Sequence, residues 1–300
     1  MRIVFYGTPE FAVASLQKII DQGFNVVAVV TAPDRPAGRG MHLHQSDVKT
    51  FALAHNLRVL QPTNLKSPQF MEELKSLKPD LQIIIAFRML PEPVWSLPPL
   101  GTLNLHASLL PNYRGAAPIN WAIINGETIT GVTTFFLKHL IDTGNILMQQ
   151  EVEILKDDDV GILHDNLMNV GSDLVIKSLK KIEASHYVTT PQVVLTEHKH
   201  APKIFTPHCE INWNQALLKI HNLIRGLSPY PGAFTHYQTK ILKIYKGYYQ
   251  QDYGLIPGTV LINSPEPFKI AGLDGWYCPT LVQPEGKRKM PIEDFVNGLK

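Results

Sequence analysis

Short apolar runs recur through the first 150 residues and alternate with stretches whose apolar positions fall at helical spacing, a pattern that predicts parallel βαβ units. Arg2–Tyr6 and Asn25–Thr31 read as strands, joined by a helix from near Pro9 to Gly23. Asp80–Phe87 (DLQIIIAF) is almost continuously apolar, as expected of a central strand covered on both faces. Gly101–His106 and Thr130–Leu137 are further strand candidates on either side of a helix over Pro118–Ile124. Leu163, Leu167, Val170 and Leu174 then repeat at helical spacing across Val160–Ile182, behind Asp157, Asp158 and Asp159, whose charge suits a helix N-terminus.

The pattern changes after this helix. From Ser185 to His208 there is no period, and Pro191, Pro202 and Pro207 fall within the stretch, which reads as a linker. Asn214–Leu223 looks helical. Ile241–Tyr245, Thr259–Ile262, Phe268–Ala271, Trp276–Cys278 and Thr280–Gln283 are short runs broken by Gly and Pro, the pattern of a small antiparallel barrel. A chain of 300 residues exceeds one ordinary compact domain, so the expectation is an α/β domain over 1–184, a linker over 185–208 and a β-rich domain over 209–300.

Composition adds limits. With 44% apolar and 18% charged residues the chain should fold rather than remain disordered. No export signal opens it and no apolar run approaches the ~20 residues a spanning helix needs, so a soluble, cytoplasmic protein without membrane contact is expected. Cys209 and Cys278 are too few for a disulfide framework. Residues 1–200 hold 17 Lys and Arg against 19 Asp and Glu, whereas residues 201–300 hold 11 against 7. This asymmetry fits either ordinary solvated surface or a basic face for a polyanion.

Several clusters could carry chemistry. Gly7-Thr8-Pro9 follows the first strand but lacks the later glycines of a dinucleotide fingerprint, so it reads as a plain turn. Asn104 and His106 project to one side at the carboxyl end of their strand, where open α/β sheets bind ligands. An amide and an imidazole there can serve as donors to a developing oxyanion, although a structural histidine is the commoner case. Asp142 stands in a glycine turn after the next strand, as either a turn-former or a site carboxylate. The pairs His42/His44 and His198/His200 lack further ligands at useful spacing, so no metal site is expected. Arg35 and Arg39, in PDRPAGRG, lie in a loop that could close over an anionic substrate.

Taken together, IVFYGTPEFA, PDRPAGRG, NLHASLLPNYRGAAPI, GVTTFFLKHLIDTG and IRGLSPYPGAFT resemble the folate-dependent formyltransferases over nearly the whole chain. The resemblance implies a Rossmann-like catalytic domain followed by an OB-like β-barrel, with 10-formyltetrahydrofolate as donor and no metal. PDRPAGRG and RGLSPYPGAFT resemble the tRNA-acting members, implying initiator methionyl-tRNA as acceptor; a monomer is expected. By the same resemblance Asn104, His106 and Asp142 are the catalytic residues. Ser108, Leu109, Leu110 and Pro111 form the folate-binding motif, and Phe87, Arg88 and Leu90 belong to the same pocket. Arg39 would hold the acceptor end of the tRNA, with Arg35, Lys240, Lys243 and Lys246 as further contacts.

Two departures stand out. Phe87-Arg88 occupies a place where many members carry a tyrosine and then a glycine, and Met41-His42 replaces a frequent lysine pair. The competing readings are a formyltransferase for a small amine, such as glycinamide ribonucleotide or an amino sugar, and a folate- or RNA-binding protein without catalysis.

Overall fold

The computed structural model describes residues 1–37, 42–193, 198–262 and 268–299. Its contacts divide into two compact units: Met1–Arg114, Gly131–Val152 and His164–Lys199 form the first, and Gly115–Thr130, Glu153–Leu163 and His200–Lys300 the second.

The first unit is built on a seven-stranded sheet. Its strands are β1 (Arg2–Gly7), β2 (Asn25–Val30), β3 (Val59–Leu60), β4 (Leu81–Ile85), β5 (Thr102–His106), β6 (Ile129–Phe136) and β7 (Ile146–Glu153). The order across the sheet is β7-β6-β5-β4-β1-β2-β3. β3, β2, β1, β4 and β5 run parallel to their neighbours, whereas β6 is antiparallel to β5. DLQIIIAF therefore supplies the middle strand, and Leu81–Ile85 is buried throughout, as its almost continuous apolar character predicts. Helix α1 (Glu10–Asp21) buries Phe11, Ala12, Ser15, Leu16 and Ile19 along one face. Helix α2 (Val160–Glu183) begins behind the expected acids, with the Asp159 carboxylate accepting from the Ile162 amide at 3.1 Å.

Residues 186–193 have no period because their contacts are not those of a regular element. Thr190 exchanges two backbone hydrogen bonds of 2.8 Å with Ile146, and Asn145 donates to the Thr189 hydroxyl, so this stretch is tied to the first unit. β7 escaped the sequence pattern because most of its positions are half-buried or exposed.

The second unit is a curled antiparallel sheet with a helix against it, as expected of an OB-like domain. Helix α3 (Leu217–Gly226) buries Leu217, Ile220 and Ile224. The strands are β8 (Ala233–Tyr237), β9 (Lys240–Gln251), β10 (Val260–Leu261), β11 (Lys269–Ala271), β12 (Gly275–Pro284) and β13 (Met290–Pro291). Their order is β8-β9-β12-β11-β10, with β13 also on β12. Tyr237, Phe268 and Phe295 meet edge to face at 5.4–5.8 Å inside it. Helix α3 starts three residues later than its apolar spacing predicts, because the Asp274 carboxylate accepts from the Leu217 amide at 2.7 Å and fixes the first turn there.

One expectation is corrected here. Trp276–Cys278 and Thr280–Gln283 are a single strand, β12, which continues through Pro279. Proline removes a ladder donor, and the partner β9 answers with register shifts around Ile244–Gly247 that bring Gly247 opposite Pro279. Among the described residues no helix is long and apolar enough to cross a membrane.

Candidate active site

Strand β5 sets the centre. Asn104 lies opposite Ile84 of β4 and Phe135 of β6, and two residues on His106 lies opposite Thr133. The two-residue period puts both on one side of the sheet, at its carboxyl edge. Asn104 is half-buried, and among the described residues its carboxamide has no hydrogen-bond partner. His106 is 8% exposed.

The histidine is held through one nitrogen. His106 Nε2 lies 2.8 Å from the Tyr113 carbonyl oxygen, which can only accept, so Nε2 carries the proton. On the neutral ring Nδ1 then presents a lone pair. Asp142 Oδ2 stands 3.9 Å from Nδ1, beyond hydrogen-bond reach. Ring orientation thus comes from Tyr113, which no feature of its local sequence singles out.

Both supporting residues have left-handed backbone, Tyr113 at φ 59° and Asp142 at φ 54°. Aspartate tolerates this conformation; a buried tyrosine does so only when its surroundings impose it. The Tyr113 amide donates to the Lys199 carbonyl at 2.5 Å. The Asp142 turn is closed by Gln192, whose Nε2 donates to the carbonyls of Asp142 and Gly144, each at 2.8 Å, while its Oε1 accepts from Arg114. Gly144 is required there, because a Cβ would meet the Phe136 carbonyl oxygen at 1.6 Å.

The Ser108–Pro111 segment is pinned to β6 and β7. Thr133 Oγ1 donates to the Ser108 carbonyl at 2.6 Å and accepts from the Leu110 amide at 3.1 Å. Gln149 Nε2 donates to that same hydroxyl oxygen and to the Leu110 carbonyl at 3.0 and 2.9 Å. Ser108 is fully buried and its own hydroxyl is taken by the Asn112 carbonyl. What this segment offers a ligand is therefore backbone together with half-buried Leu109 and Pro111, since Leu110 is also buried. Thr133, Gln149 and Gln192 belong to this framework, yet nothing in their local sequence distinguishes them.

The segment after β4 accounts for Arg88. Leu90 is buried in the core, and Phe87 packs edge-on against Tyr6 with ring centroids 5.7 Å apart. The Arg88 side chain turns back over the Phe87 ring, 5.7 Å from its centroid, and donates to the carbonyls of Pro62 and Thr63. Burial, and then the charge of Arg35, push its pKa down.

Arg35 is exposed at the start of a short hairpin, Arg35–Ala37 with His42–His44; Arg39 lies outside the described residues. Asp34 anchors the base of this hairpin. Lys49 and Gln61 donate to its carboxylate at 2.5 and 2.8 Å, and these bonds hold its pKa below the usual carboxylate value. In the second unit Lys240, Lys243 and Lys246 all lie on β9. Lys240 and Lys246 are exposed, whereas Lys243 is half-buried and donates to the Pro231 carbonyl at 2.8 Å. Among the described residues no group of three or more His, Cys, Asp or Glu could hold a metal ion.

Residues 1–179 match the formyl transferase family, and residues 203–300 match the family described as formyl transferase, C-terminal domain. The chain belongs to the formyl transferase family. Among formyl transferase relatives, the methionyl-tRNA formyltransferase of Flavobacterium johnsoniae is 49% identical over 303 residues, covering 100% of this chain and 96% of that protein. The N-formyltransferase from Helicobacter canadensis, solved with folinic acid and dTDP-3-aminofucose, superposes with a TM-score of 0.70 at 22% identity, covering 96% of this chain and 99% of that one. HypX from Aquifex aeolicus gives a TM-score of 0.69 at 20% identity over 99% of this chain and 48% of its own, so this formyl transferase spans about half the length of HypX. At such identities the two structures establish the shared fold.

Proposed function

We propose that this formyl transferase moves the formyl group of 10-formyltetrahydrofolate to the amino group of initiator methionyl-tRNA, and that Asn104, His106 and Asp142 perform the chemistry. The observation that carries the chemical part is the convergence of an unpaired carboxamide, an imidazole with a free lone pair and a carboxylate at the carboxyl edge of β5. The 49% identity with a full-length methionyl-tRNA formyltransferase supports the acceptor.

The neutral amine attacks the formyl carbon; a C–N bond forms and the carbonyl π pair moves onto oxygen. Asn104 donates to that oxygen, and His106, after its Nδ1 lone pair takes a proton from solvent while Nε2 keeps the one held on Tyr113, stabilises the same charge as an imidazolium beside the Asp142 carboxylate. Asp142 takes the amine proton, directly or through water. Collapse restores the carbonyl, the bond to the folate nitrogen breaks, and that nitrogen receives a proton, leaving tetrahydrofolate and the formylated amine. The backbone of Ser108–Pro111, with Leu109, Phe87 and the Arg88 segment, positions the donor. Arg35 and Arg39, with exposed Lys240 and Lys246, meet the tRNA. Residues 1–184 thus carry the chemistry and 209–300 dock the RNA, in a cytoplasmic monomer that uses no metal.

The deciding experiment offers charged initiator tRNA, charged elongator tRNA, glycinamide ribonucleotide and a dTDP-amino sugar, each with 10-formyltetrahydrofolate, and measures formylation. Transfer to initiator methionyl-tRNA in preference to the rest is expected. Transfer to a small amine with none to methionyl-tRNA overturns the acceptor assignment.

A further inference from the structure

The second unit contains a cleft of about 280 Å³ that the chemistry above does not use. Its polar lining includes the carboxylates of Asp157 and Asp159 beside His221, Arg225, Lys246 and Thr280, with Tyr248 at the edge, drawn from the loop before α2, from α3, and from β9 and β12 at the register shift. Bulged strands re-aim side chains, and such positions recur beside binding sites. Gly247 is required where β9 and β12 approach beside the cleft, because a Cβ there would lie 2.6 Å from both the Tyr277 ring and the Cys278 carbonyl.

Arg225 is the informative residue. Its guanidinium is half-buried and anchored by neutral acceptors, Nε on the Asn222 side-chain oxygen and Nη1 on the Asp158 carbonyl, both at 2.9 Å. Among the described residues no carboxylate lies within ion-pairing distance of it. Asp158 and Asp157 act on its charge only at longer range, so guanidinium N–H groups remain for an anion. Lys246, exposed and without a bonding partner among the described residues, adds a second positive charge at the rim.

A bare anion does not account for the rest of the wall. The Asp157 carboxylate is exposed, has no bonding partner among the described residues, and calls for N–H donors on the ligand. Tyr248, 44% exposed, offers a ring face at the mouth. His221 is packed between Tyr249 and Tyr277, with Nδ1 buried and unpartnered, which leaves Nε2 as its polar atom for the cleft. An anionic group, a flat ring and an N–H-bearing edge occur together in a nucleotide, and the volume suits one base with its sugar rather than an extended ligand.

We propose that this cleft binds one unpaired nucleotide of an RNA chain, with its phosphate on Arg225 and Lys246, its base against Tyr248 and an amino-bearing base edge on Asp157. Guanine fits best, because it can place two adjacent N–H groups on one carboxylate. The proposal rests on the reading of an RNA acceptor, but its test requires no formyl transfer.

Calorimetric titration of the full chain, without folate, with guanosine 5′-monophosphate, uridine 5′-monophosphate and inorganic phosphate tests it. Guanylate should bind at least about tenfold more tightly than phosphate and several-fold more tightly than uridylate. Lys246→Ala should weaken guanylate binding by about three- to tenfold, and Asp157→Asn should erase the preference over uridylate; both residues are exposed, so these variants fold. An eight-residue single-stranded RNA containing one guanosine should compete with guanylate for the site. Equal binding of guanylate and phosphate, no saturable binding, unchanged affinities in both variants, or free nucleotide bound without competition from the RNA would each overturn the proposal. Absence of methionyl-tRNA formylation with guanylate binding intact would instead count against the acceptor assignment alone.

Discussion

Gln192 Nε2 donates at 2.8 Å to the Asp142 carbonyl and closes the same fork on Gly144, so a residue fifty positions away fixes the turn that carries the site carboxylate. Its other atom, Oε1, accepts from Arg114, which leaves the amide no freedom to flip. Gln192→Ala should lower turnover by roughly tenfold through a misplaced Asp142, a loss of the size that small misplacements produce, with donor affinity close to unchanged. Steady-state kinetics with separate measurement of folate binding check this; equal turnover in the two proteins would show that the clamp is dispensable.

The three central residues should separate by role. Asn104→Ala removes one oxyanion donor, for which a loss of about 10²–10³ in turnover is expected. His106→Ala and Asp142→Ala should lose at least as much, and the Asp142 variant should regain part of its rate as pH rises, because more of the amine is then unprotonated without help. Single-turnover rates against pH measure this, and near-normal turnover in any variant removes that residue from the mechanism.

Thr133 is a stability test that reaches the donor loop. Thr133→Val keeps the shape but leaves the buried Leu110 amide and Ser108 carbonyl without that hydroxyl, which should cost about 1–3 kcal/mol. A fall in melting temperature of a few degrees is expected, together with weaker folate binding. Thermal unfolding with and without folate tests both halves.

The lysines of β9 should not behave alike. Lys240→Ala and Lys246→Ala should each reduce the slope of log affinity against log salt for tRNA by about one. Lys243→Ala should change the slope less, because its ammonium is already committed to the Pro231 carbonyl. Binding measured across a salt series decides the matter; three equal slopes would contradict the assignment.

His221 makes the second unit acid-sensitive. Burial, and then the charge of Arg225, lower its pKa from the ordinary 6.5, with Asp157 opposing and Lys156 adding to the shift. The folded state thus holds the ring neutral where the unfolded chain binds a proton. This contribution to stability is complete above pH 6.5 and declines as pH falls from there through the lowered value. Urea midpoints at pH 7.5 and 5.5 should differ less for His221→Gln than for the parent chain.

Much of this molecule was legible along the chain because its determinants are local. An almost continuously apolar strand belongs inside the sheet, and alternation alone put Asn104 and His106 on one side of β5. The merging of two runs through Pro279 was not legible, because tolerance of that proline depends on a bulge in another strand. What the sequence determined by itself was the α/β order, the second β-rich unit and the pairing of Asn104 with His106. Tertiary structure alone decided that the Tyr113 carbonyl sets the imidazole, that Gln192 holds Asp142, and that Arg225 stands half-buried on neutral acceptors. Those relationships join positions with no common period, and hydrogen bonds across such separations exist only once the backbone has brought the partners within about 3 Å.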